Sequence, residues 1–161
     1  MEQFRDYVVR RNSIYAVLLF STIFISTGKA QNKEFGLGVM LGEPTGFSAK
    51  YWLSEDKALD FGLAYSFVKS VSALSVHCDY VHHDFDLIKS KYQVPVYYGF
   101  GARLRVGSDE NQLGARGVVG IVYIDKEHPF DVFLELAPVF NLFPKTSLQI
   151  DLALGARYYF R

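Results

Sequence analysis

From residue 35 onward, apolar and polar side chains alternate with period two, and no helical spacing competes with that rhythm. The clearest run is C-terminal. Leu148, Ile150, Leu152, Leu154, Ala156, Tyr158 and Phe160 fall on one side, and Gln149, Asp151, Ala153, Gly155, Arg157 and Tyr159 on the other. Successive side chains of a strand point to opposite faces, so the pattern predicts a strand over Leu148–Phe160. The same test predicts strands at Phe35–Leu41, Phe47–Leu53, Leu59–Phe67, Leu74–Tyr80, Val94–Val106, Leu113–Tyr123 and Phe130–Phe140. Polar, Gly-containing or Pro-containing breaks separate them, among them Gly42–Gly46, Val81–Gln93, Gly107–Gln112 and Asn141–Ser147. Pro138 has no N–H for a ladder and should mark a strand end, bend or bulge.

The apolar face of these strands carries no charged residue, while large aromatics such as Tyr65, Tyr80, Tyr98, Tyr123, Tyr158 and Phe160 sit on it, several near strand ends. The opposite face is crowded with small residues, including Gly36, Gly62, Gly99, Gly101, Gly120 and Gly155. Among them stand five cations, Lys50, Arg103, Arg105, Arg116 and Arg157, and five anions, Asp60, Asp79, Asp131, Glu135 and Asp151. A solvated sheet needs neither the glycines nor the balance. The narrow lumen of an eight-stranded barrel needs both, because long side chains must interleave with short ones and charges out of water must be paired. The expected architecture is therefore all-β: an eight-stranded antiparallel up-and-down transmembrane β-barrel, apolar face to lipid, with those ten residues as a luminal ion-pair network. Closure pairs every strand edge, as a bilayer demands.

Residues 1–30 read as a cleaved signal peptide, with Arg5, Arg10 and Arg11 ahead of an apolar Ile14–Ile25 stretch and Gly28-Lys29-Ala30 as the cleavage site. The apolar stretch is shorter than the roughly 20 residues that span a bilayer. Residues 31–161 form the barrel domain. Cys78, the one cysteine of the 161 residues, excludes an intrachain disulfide and a multi-cysteine metal site. With 17 basic and 17 acidic residues, the chain lacks the positive excess that nucleic-acid binding requires.

The end of the chain, Gly155-Ala156-Arg157-Tyr158-Tyr159-Phe160, resembles the outer-membrane assembly signal, which places aromatic or apolar residues three and five positions after a glycine. Gly155, Tyr158 and Phe160 fill those positions, with Ala153 where the pattern is usually polar and Arg161 after the last aromatic. The whole resembles the small OmpA/OmpX-like barrels. More narrowly, Gly42-Glu43-Pro44-Thr45-Gly46, Asp79-Tyr80-Val81-His82-His83 and Asp131-Val132-Phe133-Leu134-Glu135-Leu136-Ala137-Pro138, with the C-terminal block, resemble an uncharacterised barrel family of spirochaetes and other diderm bacteria. The resemblance implies residence in the bacterial outer membrane, with lipid and the barrel assembly machinery as partners.

Chemistry is sparse. His77, Asp79 and His83 share one strand face, but i, i+2 and i+6 spread over roughly 20 Å, too far for one metal ion. Ser66, Ser75, His77 and Asp79 lack a nucleophile motif, so no catalytic residue and no cofactor are assigned. His77 and Asp79 are expected to join the luminal network, with His82 and His83 solvated at the strand end, and Cys78 to face lipid as an inert thiol. The function expected is that of a non-enzymatic barrel with a closed lumen and a structural or surface-interaction role. Two alternatives stand beside it. One is a receptor or adhesin using Asp109, Glu110 and Lys145 to contact an extracellular or host protein. The other is a soluble lipid carrier with its apolar face inward.

Overall fold

A computed structural model describes residues 35–43, 45–66, 73–107 and 110–160. The expected signal peptide lies outside them. Eight strands follow in order: β1 (Phe35–Glu43), β2 (Thr45–Trp52), β3 (Lys57–Ser66), β4 (Ala73–Asp84), β5 (Val96–Gly107), β6 (Gln112–Ile124), β7 (Phe130–Phe143) and β8 (Ser147–Phe160). Each pairs antiparallel with the next, and β8 returns to β1 with Phe160 opposite Phe35, so the sheet closes into an up-and-down barrel. Among the described residues no helix is long and apolar enough to cross a membrane.

Alternation is what places every side chain. In β8 the residues from Asp151 to Phe160 are strictly buried then exposed, with Leu152, Leu154, Tyr158 and Phe160 outside and Asp151, Gly155, Arg157 and Tyr159 inside. β4 and β7 repeat the pattern over nearly their whole lengths. The usual globular arrangement is thus turned inside out: Phe100 is 70% exposed, whereas Lys50 is fully buried. A soluble carrier would need the reverse, so that alternative is corrected: the apolar face looks outward.

Two local departures from the expected strands have physical causes. β4 does not stop at Tyr80 but continues to Asp84, because Val81 and His83 keep the inward parity and the His83 N–H donates to the Asp56 carbonyl at 2.6 Å. β7 runs straight through Pro138, which still pairs with Ile150 of β8. The missing N–H is absorbed on the other side, where the β6–β7 ladder skips Gly117 and Val118 between Arg116↔Val139 and Val119↔Leu136. A second irregularity falls between Leu113 and Gly114, where the register shifts so that Leu142 becomes the extra residue of β7.

Glycines make the closed wall possible. Gly42 adopts φ +148° next to the first turn, a conformation few other residues tolerate, and the Thr45 hydroxyl closes that turn by donating to the Gly42 carbonyl at 2.8 Å. Gly36 leaves room for Tyr159, since a Cβ there would lie 2.8 Å from the ring's Cε1.

Candidate functional site

The lumen holds three charge clusters along the barrel axis, the first two of them linked. At the end where β1 begins and β8 ends, Arg157 bridges two carboxylates: its Nε donates to Asp131 at 3.0 Å and its Nη1 to Asp60 at 3.3 Å. Asp131 also accepts the Tyr159 hydroxyl at 2.5 Å, and the Arg157 guanidinium lies 4.1 Å from the Phe133 ring centre. Lys50 approaches Asp60 at 3.4 Å and donates to His83 Nε2 at 2.8 Å. An ammonium can only donate, so His83 Nε2 must accept and its proton sits on Nδ1, 3.4 Å from the Asp56 carbonyl. Trp52 and Tyr97 flank the same ammonium with ring centres 5.1 and 4.9 Å away.

In the middle, Arg116 pairs with Asp79 through one nitrogen and with Glu135 at 2.6 Å through another. Glu135 also accepts from the Tyr97 hydroxyl at 2.8 Å, which joins this cluster to the first. At the far end Arg103 Nη1 grips both oxygens of Asp151 at 3.0 and 2.9 Å, while Nη2 reaches Gln149 at 3.0 Å and Asn141 at 3.3 Å. Gln149 in turn donates to Asp151, and Asn141 to Ser147.

Nine of the ten luminal residues singled out in the sequence are therefore buried together: Lys50, Asp60, Asp79, Arg103, Arg116, Asp131, Glu135, Asp151 and Arg157. Arg105 is different. It shares the luminal parity but is only half-buried near the mouth and has no ion-pair partner among the described residues, so the five-against-five balance does not hold as expected. His83 also corrects its expectation: it is buried against Trp52 and Tyr97 rather than solvated, while His82 remains partly exposed beside Asp56 at 3.2 Å. Tyr97, Tyr159, Asn141 and Gln149 were not singled out as network members. The inward parity of Tyr97, Tyr159 and Gln149 is legible, but an uncharged side chain gives no reason to expect a partner; Asn141 falls in the expected break after Phe140, which β7 overruns to Phe143.

The assembly-signal residues divide between the faces. Gly155 is inward beneath the Phe133 ring, and Tyr158 and Phe160 point outward with ring centres 5.5 Å apart. Cys78 is on the outer face. The Ser66 side chain and Asp109 lie outside the described residues, whereas Glu110 and Lys145 meet across two turns at 3.4 Å. Ser75 Oγ and His77 Nδ1 are buried without a hydrogen bond among the described residues, so no serine–histidine relay forms. His77 instead stands over Gly62, 3.8 Å from Asp79. No group of three metal-ligating side chains converges among the described residues.

No protein-family model and no curated protein matches the chain. Solved structures do. The chain is similar to the N-terminal β-barrel domain of Pseudomonas aeruginosa OprF, with a TM-score of 0.61 at 16% identity, covering 80% of this chain and 100% of that domain. The fold is that of a small eight-stranded outer-membrane barrel. Lesser likenesses are Neisserial surface protein A, with a TM-score of 0.49 at 16% identity, and Ail, the attachment invasion locus protein of Yersinia pestis, at 0.44 and 17%; each match covers 78% of this chain and 93% of the other.

The clusters also bear on how this barrel holds its register. A slip of one residue between neighbouring strands would turn inward side chains outward. Were the outer wall to meet lipid, Arg116 or Arg103 turned outward would cost about 2–4 kcal/mol near the midplane and penalise a wrong register heavily. The buried pairs add little net stability by themselves, because desolvation cancels much of the Coulomb gain.

Proposed function

We propose that the protein is an integral barrel of the bacterial outer membrane, non-enzymatic, with a lumen closed by its own ion pairs and a structural role in that membrane. One observation carries this reading: the exposed wall is apolar while Lys50, Asp79, Arg103, Arg116, Asp131 and Arg157 are buried inside. An apolar wall of this extent is stable only against acyl chains, and the full pairing of strand edges suits a medium that offers no hydrogen bonds. A signal peptide over residues 1–30 would export the chain, and Gly155, Tyr158 and Phe160 would present it to the barrel assembly machinery. The narrower kinship with the barrels of spirochaetes and other diderm bacteria rests on the sequence blocks alone.

The structural role is preferred to adhesion because Glu110 and Lys145, two of the three charges expected to meet an outside partner, are engaged with each other. Two measurements test the proposal. Detergent-folded protein should migrate differently before and after boiling, and in planar bilayers it should conduct little, because guanidinium–carboxylate pairs cross the lumen at three levels. Large, steady conductance would overturn the closed lumen. Detergent-free, monodisperse protein in saline would overturn the membrane location. Loss of host-surface binding on deleting Gly107–Gln112, with folding intact, would favour the adhesin instead.

A further inference from the structure

The connection between β4 and β5 is the longest described turn of the barrel, and it lies at the end where the chain enters β1 and leaves β8. It is neither a plug nor a loose polar loop. Its start is shaped by Asp84, whose Oδ1 accepts from the N–H groups of Asp86 at 2.9 Å and Leu87 at 3.2 Å. Its return is stitched to β6, where the Ile124 N–H donates to the Gln93 carbonyl at 2.9 Å and the Val122 N–H to that of Pro95 at 3.1 Å. Between these fixed ends, Leu87 is 61% and Tyr92 55% exposed, and Ile88 is exposed as well. Two lysines, Lys89 and Lys91, interrupt the apolar residues.

The outward course of the loop is set by Tyr92. Its ring meets that of Tyr123 at 6.2 Å, and Tyr123 meets Phe130 at 6.4 Å. At Tyr92 the loop's apolar surface is thereby continuous with the rim of the outer wall. A tyrosine row at a rim suits the headgroup level, with ring bodies in the apolar layer and hydroxyls in water. Lysines placed between apolar residues at that depth reach lipid phosphates, each worth about 1 kcal/mol near an anionic surface.

We propose that this connection is a membrane-surface anchor, in which Leu87 and Ile88 enter the headgroup boundary of the adjoining leaflet while Lys89 and Lys91 pair with phospholipid phosphates. The inference rests on the membrane-barrel reading and extends it to a turn that would otherwise stand in water. Its occupant is a phospholipid surface, not a second copy or a soluble protein.

Cys78 supplies the control that separates the two readings. A nitroxide on native Cys78, which faces outward from the β4 wall, reports whether the barrel is in lipid. A nitroxide on Leu87→Cys, in a Cys78→Ser background, reports on the loop. Both are read by power saturation with oxygen and a water-soluble nickel chelate, in vesicles of phosphatidylcholine with phosphatidylglycerol. Both labels should be shielded from nickel, the loop label at shallower depth. Lys89→Glu with Lys91→Glu should lower the inserted-to-free ratio of the loop by at least about tenfold in these vesicles, and much less in pure phosphatidylcholine. A loop label open to nickel beside a shielded Cys78 label overturns the anchor and leaves the barrel reading standing. An open Cys78 label overturns both.

Discussion

The Arg103–Asp151 pair offers a direct measure of how dry the lumen is. Both side chains are almost fully buried, and Arg103 Nη1 contacts both carboxylate oxygens at about hydrogen-bond length, 3.0 and 2.9 Å. Charges roughly 4 Å apart at an effective dielectric near 20 attract by about 4 kcal/mol. Asp151→Asn leaves Arg103 with neutral amide oxygens alone, those of Gln149, Asn141 and the substituted side chain, and Arg103→Met leaves Asp151 with the Gln149 amide. Each single change strands a buried charge and should cost about 3–5 kcal/mol, whereas the double change removes both charges and should cost far less than the sum. The assay is urea unfolding of the barrel refolded in phospholipid vesicles, followed by the fluorescence of Trp52, the sole tryptophan. A favourable coupling of at least about 2 kcal/mol is expected from such a cycle. Singles costing below about 1 kcal/mol with no coupling would match a solvated surface pair, and would refute both the dry lumen and the expectation of low conductance.

Gly36→Ala should destabilise by about 1–3 kcal/mol, since the three atoms nearest a new Cβ all belong to the Tyr159 ring; in a Tyr159→Leu background the same change should cost less, and an equal cost in both would refute the fit. At the β2–β3 turn, the Ser54 hydroxyl donates to Asp56 at 2.7 Å and holds that carboxyl below the ordinary carboxylate range. A depressed acid lends its stabilisation above the unfolded pKa and loses it as pH falls through the folded one, so the effect should fade below about pH 4. Ser54→Ala should raise the Asp56 titration midpoint measured by carboxyl NMR in micelles, and an unmoved midpoint would refute the assignment.

The fold was legible because a barrel repeats one rule along its whole length. A residue's parity within its strand fixes whether it faces outward or into the lumen, and Leu148–Phe160 shows that rule without exception in its exposed residues. The strand ends were less legible. Val81–Asp84 looked like a break because two histidines and an aspartate suggest solvent, yet His83 finds Lys50, Trp52 and Tyr97 across the barrel. Such long-range partners follow from closure and are invisible in a single strand. Arg105 shows the converse limit. Parity put it inside, but its nearness to the mouth leaves it half in water and unpaired among the described residues, and distance from a mouth is not written in the alternation.

The skipped rungs beside Pro138 have a mechanical meaning. A tube laced by hydrogen bonds around its whole girth resists bending evenly, but here the lacing lapses for two residues, Gly117 and Val118, against Ala137 and Pro138. That lapse gives the cylinder one compliant line. Lateral load on the wall is then taken up along it, while the interlocked interior keeps its shape.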